Sequence, residues 1–353
     1  MNTTTKYPFF ITAPILLIGF YFLINMLYIG QSILIPVIYA IIIAILLRPA
    51  VNFLVRKKIN RGLAIAIVVF LSFLLVAALG ALLVSQLTRF TESLPLMLDK
   101  FNRLIQQASL YAYDRFNVNP ERIDTWLAKT KAEFINNISS IIGSTLLTLG
   151  GMLEVMFLIP VYIIMILYYQ PLLLEFVRKL FTKNNQHDVN EILIQTRTII
   201  QKYLTGLLIE AAIIATLYTV CLFILGIDYA LLLGVTGAML NVIPFLGGVL
   251  SLVLPLIVAI VTKDSYTASV MVTLTFTIIQ FFDNHYIIPK IVASKVRINA
   301  LISLIVVFAG GVLWGIPGMF ISIPIVAILK VIFDHIPNLK PWGYLLGDTL
   351  PNN

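Results

Sequence analysis

The sequence predicts an all-α polytopic membrane protein of about eight hydrophobic segments, six full spans and two re-entrant helical hairpins of opposite orientation. Three observations carry this. Of 353 residues, 60% are hydrophobic and only 11% charged, whereas soluble domains run nearer half and a quarter. Uncharged runs recur at lengths that suit a bilayer. The formal charge of +8 is concentrated between those runs, where it reads as membrane-flanking charge and not as a nucleic-acid footprint. The mean hydropathy of +0.99 agrees.

The first element covers residues 1–88, three spans expected to serve as scaffold and oligomer contact. Residues 7–47 are uncharged, enough for two spans of roughly 20 residues, with a turn at Gly30-Gln31. The apolar stretch after Lys6 is too long for a signal-peptide h-region and lacks an A-x-A-like site, so it stays as a span. "RPAVNFLVRKKINR" follows, with Arg48, Arg56, Lys57, Lys58 and Arg61 and no acid. That loop assigns itself to the cytoplasm and puts the N-terminus there too. The third span covers 63–88.

Residues 89–141 leave the membrane on the outer side, with seven Lys/Arg against six Asp/Glu. Phe101, Leu104, Ile105, Ala108 and Tyr111 recur at helical spacing, and after Asn119-Pro120 so do Ile123, Trp126, Leu127, Phe134 and Ile138. Two amphipathic helices are expected, against the outer surface, a neighbouring subunit or their own protomer. The 142–202 region holds the fourth span, 142–170, and a cytoplasmic amphipathic helix marked by Val189, Ile192, Leu193, Ile199 and Ile200. It runs into the fifth span, 203–225.

Two later segments are over-long. Residues 229–261 form a 33-residue uncharged run; a straight helix of that length would reach about 50 Å, against a hydrocarbon core of about 30 Å. Residues 299–329 form another, of 31. Both are broken by Ile-Pro and paired glycine: "LNVIPFLGGVLS" at 240–251 and "GGVLWGIPG" at 310–318. Each is read as a hairpin with its tip at the break, the first at Asn241–Gly248. Irregular backbone at membrane depth needs cover from protein or water, and paired interrupted segments point to a transporter's binding site. With 229–261 as a hairpin, the span 266–288 runs inward and Lys290, Lys295 and Arg297 fall in the cytoplasm, as the positive-inside bias prefers. The transport domain is thus 203–335, followed by a cytoplasmic tail, 336–353.

Ionisable groups inside spans cost about 2.5–3.5 kcal/mol each on insertion scales; here they are Glu154, Glu210, Asp283 and His285. "QFFDNHYIIPK" gathers Gln280, Asp283 and Asn284 within about one turn, and Pro289 is expected to end that helix. A desolvated carboxyl among amides suits proton or cation coupling or solute contact; a structural carboxylate pairing with Lys290 is the other reading. Small residues can also serve close helix packing alone. No enzyme is expected: H-E-x-x-H, G-x-S-x-G and a Cys pair are all missing, Cys221 is alone, and the histidines are only 187, 285 and 335. No cofactor or metal is expected either, and no nucleic-acid partner; the partners are the bilayer and a small-molecule solute.

"YLTGLLIEAAIIATLYTVCLFILGIDYALLLGVTGAMLNVIPFLGGVLSLVLP", "DNHYIIPKIVASKV" and "FAGGVLWGIPGMFISIPIVAILK" occur in that order, and with them the whole chain resembles the autoinducer-2 exporter family of bacterial inner-membrane proteins. The resemblance implies a homopentamer and an elevator-like movement of a transport domain carrying two hairpins. It implies tip residues Asn241, Pro244, Gly247 and Gly248 in one hairpin, and Gly311, Gly315, Pro317 and Gly318 in the other. Asp283, Asn284 and Pro289 match the family's acidic-amide and following-proline signature; Asp283, Asn284 and, from its place in the fifth span, Glu210 are the candidates for coupling or translocation, with Pro289 the candidate hinge. Leu207 departs from the family's frequent Gln after the glycine matching Gly206, so one polar contact is missing. The expected function is secondary export of a small polar solute such as autoinducer-2; the alternative is a Na+(Li+)/H+ antiporter.

Overall fold

The computed structural model describes residues 9–116, 158–181, 186–243, 247–263, 266–292 and 298–348. The second amphipathic stretch from 117 onward, Glu154 and Pro244 lie outside the described residues. Every described element is helical: α1 Phe9–Ile29, α2 Gln31–Arg56, α3 Arg61–Phe116, α4 Leu158–Lys179, α5 Gln186–Ile224, α6 Ala230–Asn241, α7 Gly247–Thr262, α8 Tyr266–Phe282, α9 Ala300–His335 and α10 Lys340–Leu346. The chain is an all-α, multi-pass membrane protein. By length and composition six helices could cross a bilayer: α1, α2, α3 to Phe90, α4, α5 and α9, the last of them broken into two arms at Trp314–Gly315. The segment 266–288, expected as a span, falls on the 17 residues of α8 and a π-helical continuation, Asp283–Val292. Pro289 does not end that helix. The looser π winding carries the chain past it, because the i→i+5 pattern shifts which carbonyl loses its donor.

A further difference lies in α3. The third span and the first expected amphipathic helix are one helix of 56 residues. Between Phe90 and Phe101 there is no glycine and one proline, Pro95, and leucine, methionine and lysine there favour continued helix over a turn.

The helices form two compact units. One comprises residues 1–65, 161–203 and 296–353. In it α1 and α2 meet at Gly30, where a side chain would press on Met26 O. The indole Nε1 of Trp314 donates to Leu27 O at 3.0 Å, and Tyr39 Oη donates to Pro317 O at 3.2 Å. Helix α9 is itself a hairpin. Its backbone leaves helical geometry at Trp314 (φ −134°, ψ 15°) and Gly315 (φ 63°, ψ −147°), a region essentially reserved for glycine. A Cβ on Gly318 would fall on the carbonyl oxygen of Gly310, and one on Gly310 would lie 2.5 Å from Gly318 O. Residues eight apart touch only if the chain folds back, and only glycine at both lets the arms approach so closely. Asn299 caps the first arm by accepting from Leu301 N at 2.8 Å, and its own N–H donates to Leu346 O of α10 at 2.9 Å.

The other unit comprises residues 66–160 and 204–295. Its core includes Ile214, Tyr218, Leu222, Leu233, Val258 and Phe276, from α5, α6, α7 and α8. Helices α6 and α7 are the two arms of the first hairpin, with Gly237 packed against Tyr218 and Ser251. Close approach recurs against α5, where a Cβ on Gly234 would lie 2.6 Å from the backbone nitrogen of Thr219. The entry to α6 is held at Tyr229, whose φ is 58°. Its hydroxyl lies 2.6 Å from Ser93 Oγ on α3, and its ring meets Phe90 edge-on at 5.4 Å.

Candidate functional site

A row of buried polar side chains runs through the second unit, where apolar helices should avoid them. On α5, Glu210, Ile214, Tyr218 and Leu222 follow at every fourth position and all are buried; the i, i+4 spacing sets them on one face. Phe276 and the half-buried Gln280 on α8 and Asp283 at the start of the π-helical continuation follow at steps of four and three, which also keeps them on one face. Asp283 is 0% exposed and Asn241, the last residue of α6, 8%. Asn241 Nδ2 donates to Asp283 Oδ2 at 2.7 Å, a length typical of a charge-assisted bond.

The second arm joins through Ser251 and the glycines. Tyr218 Oη donates to Gln280 Oε1 at 3.2 Å and lies 3.2 Å from Ser251 Oγ. Ser251 Oγ donates to Gly248 O at 3.0 Å. The Tyr218 ring stacks on Phe276 at 4.1 Å and 12°, which fixes where its hydroxyl points. A Cβ on Gly248 would meet the Gln280 amide at 2.6–2.9 Å, and one on Gly247 would strike the Leu240–Asn241 backbone. Glycine at 247 and 248 therefore lets the tip close and lets Gln280 lie across it. Glu210 is 3% exposed, and its carboxyl lies near that of Asp283.

Two acceptors of this cluster, Asp283 Oδ1 and Asn241 Oδ1, are buried with no hydrogen-bond partner among the described residues. Such groups cost about 1–3 kcal/mol when left unpaired, and buried polar atoms in proteins are nearly always satisfied. Their concentration at a chain break makes this the place where a polar ligand would be held.

Of the residues expected from the sequence, the structure gathers Asn241, Gly247, Gly248, Asp283 and Glu210. Asn284 does not join them: it is exposed, as is Pro289. Gly311, Gly315, Pro317 and Gly318 belong to the other unit, where Gly315 makes the bend and Gly318 the close approach; Gly311 packs against the Met319 side chain. Tyr218 and Ser251 were not singled out from the sequence. The signal for Tyr218 is its position eight residues after Glu210 on the same face.

Apolar helices of membrane length, a broken hairpin and buried polar groups at the break define a polytopic membrane transport protein. The model of the AI-2E family transporter matches residues 15–338, and the chain belongs to that family. Relatives include YrrI of Bacillus subtilis (strain 168), 27% identical over 336 residues that cover 91% of this chain and 92% of YrrI. YueF of the same organism is 24% identical over 315 residues, 86% of this chain and 84% of its own. The AI-2 transport protein TqsA of Escherichia coli (strain K12) is 26% identical over 330 residues, 90% of each chain.

Proposed function

We propose that the protein is a secondary transporter that exports a small polar, hydroxyl-bearing solute of the autoinducer-2 kind, bound at the tip of the first hairpin. The observation that carries this reading is the pair of buried acceptors, Asp283 Oδ1 and Asn241 Oδ1, with no hydrogen-bond partner among the described residues, beside the 2.7 Å bond that holds them in place. Two acceptors ask for two donors. A polyhydroxylated furanone-derived molecule supplies them without bringing a charge into the membrane. Asp283 and Asn241 are the direct ligands; Tyr218, Ser251 and Gln280 shape the second arm of the tip. The name of TqsA supports the same solute class.

The same reading takes the movement to be elevator-like, in a homopentamer of the bacterial inner membrane with cytoplasmic termini, as the family resemblance implies. Sealed proteoliposomes loaded with autoinducer-2 test it. Efflux is expected from wild type and is reduced at least tenfold in Asp283→Asn. Absence of efflux from vesicles shown to hold folded oligomer overturns the solute assignment. A Na+- or Li+-driven proton flux lost in Asp283→Asn would replace export with cation/proton exchange.

A further inference from the structure

Away from that cluster, the other unit holds a cavity of about 630 Å³ between α2, the start of α3 and α4. Its charged lining is Arg48, Arg61, Arg178 and Glu175, with Val51, Val55 and Leu174 among its apolar walls. The volume falls within the range of small-ligand sites. Arg197 stands near enough to Arg48 to repel it, as does Arg61. Glu175 is shared by Arg178 at 3.6 Å and Lys179 at 3.9 Å. Arg48 has no carboxylate within ion-pair distance among the described residues.

Two of the arginines are held in place by the fold. Pro171 has no N–H, so the carbonyl of Leu167, one turn earlier in α4, loses its helical donor. Arg61 Nη2 supplies the bond at 2.8 Å, which takes one of its five N–H donors. Arg178 is oriented by Nε donating to Asn190 Oδ1 at 2.7 Å. Like-charged guanidinium groups gathered around a cavity raise the energy of the unliganded protein, and an anion relieves it. Planar arginine forks match phosphate oxygens bidentately. Basic pockets between membrane helices at the end favoured by the positive-inside bias suit anionic headgroups.

We propose that this cavity binds a phosphate ester anion, and that its source is the headgroup of an anionic phospholipid, whose chains continue from the apolar walls into the bilayer. The test uses the full-length protein in neutral detergent. Short-chain phosphatidylglycerol, short-chain phosphatidylcholine and inorganic phosphate are titrated against it, with bound ligand read by native mass spectrometry. Wild type should bind phosphatidylglycerol at least tenfold more tightly than phosphatidylcholine. The double variant Arg48→Gln/Arg178→Gln should lose about thirtyfold in that affinity, about 2 kcal/mol for two basic groups. Lys57→Gln/Lys58→Gln removes equal charge from exposed positions of the same basic loop and should change it less than about threefold. Inorganic phosphate that binds as tightly as the lipid, with the same loss in the arginine variant, supports the phosphate site and assigns it to a soluble anion. Equal binding of the two lipids by wild type overturns the proposal whatever the fate of the variants. So does an equal loss in the arginine and lysine variants.

Discussion

Asn241 and Asp283 should behave as one unit in a double-mutant cycle. The bond between them is 2.7 Å long and both residues are buried. Hydrogen bonds to charged groups contribute about 1.5–3 kcal/mol. Asn241→Ala also orphans Asp283 Oδ2, so both carboxyl oxygens become buried and unpaired; the expected loss is about 3 kcal/mol. Asp283→Ala leaves the Asn241 amide without its acceptor and costs about 1–3 kcal/mol. The double variant orphans neither partner and should be destabilised by less than the sum, with a coupling of about 1.5–3 kcal/mol. Asp283→Asn keeps the shape and a neutral bond, and should lose only about 1 kcal/mol while losing solute transport. Reversible unfolding of the purified protein in mixed micelles measures the four stabilities. Additivity within about 0.5 kcal/mol would show that the pair is not coupled, and the site built on it would fall.

Other expectations follow from the close approaches and the bend. Gly318→Ala drives a methyl group onto the backbone carbonyl of Gly310 and should destabilise by about 1–3 kcal/mol, whereas Gly19→Ala and Gly80→Ala, with nothing within 4 Å, should be neutral or stabilising by up to about 1 kcal/mol; the same unfolding assay separates them. Gly315→Ala meets no steric neighbour, so its expected cost of about 1–3 kcal/mol is backbone strain alone, from φ 63° and ψ −147°. Arg61→Ala should cost about 1–3 kcal/mol by leaving Leu167 O unpaired. In a Pro171→Ala background, where α4 can bond that carbonyl itself, the cost should fall below about 0.5 kcal/mol. Tyr218→Phe keeps the ring stack but drops the hydroxyl, with an expected cost of about 1 kcal/mol and slower solute efflux.

The hairpins were legible because length and backbone chemistry agree. A run of 33 residues with Asn, Pro and paired Gly at its centre has no straight solution in a bilayer, and α6 ends at Asn241 while α7 begins at Gly247. The second break fell between Gly310 and Gly318, with the turning residue at Gly315. Asp283 and Glu210 stood out because charge in an apolar helix is costly. Tyr218 and Ser251 did not, since a tyrosine or serine in a membrane helix is ordinary until tertiary packing brings it to a partner. The extent of α3 was hidden for a different reason: a composition shift at Arg89 marks where a helix leaves lipid, not where it stops. Asn284 was grouped with Asp283 by proximity along the chain, yet neighbouring residues on a helix point about 100° apart, and only one of them faces the core.

The bond from Asn299 N–H to Leu346 O sets a timetable for biosynthesis. The partner that completes the first turn of α9 is 47 residues later in the chain, so at about 5–20 residues per second it emerges some 2–9 s after Asn299 itself. During that interval the opening of the hairpin has only water or lipid headgroups to serve it. Helix α10 is therefore a clasp that can fasten only after both arms of α9 have been made. A tag appended beyond Asp348 leaves it shut, whereas a truncation after His335 removes it.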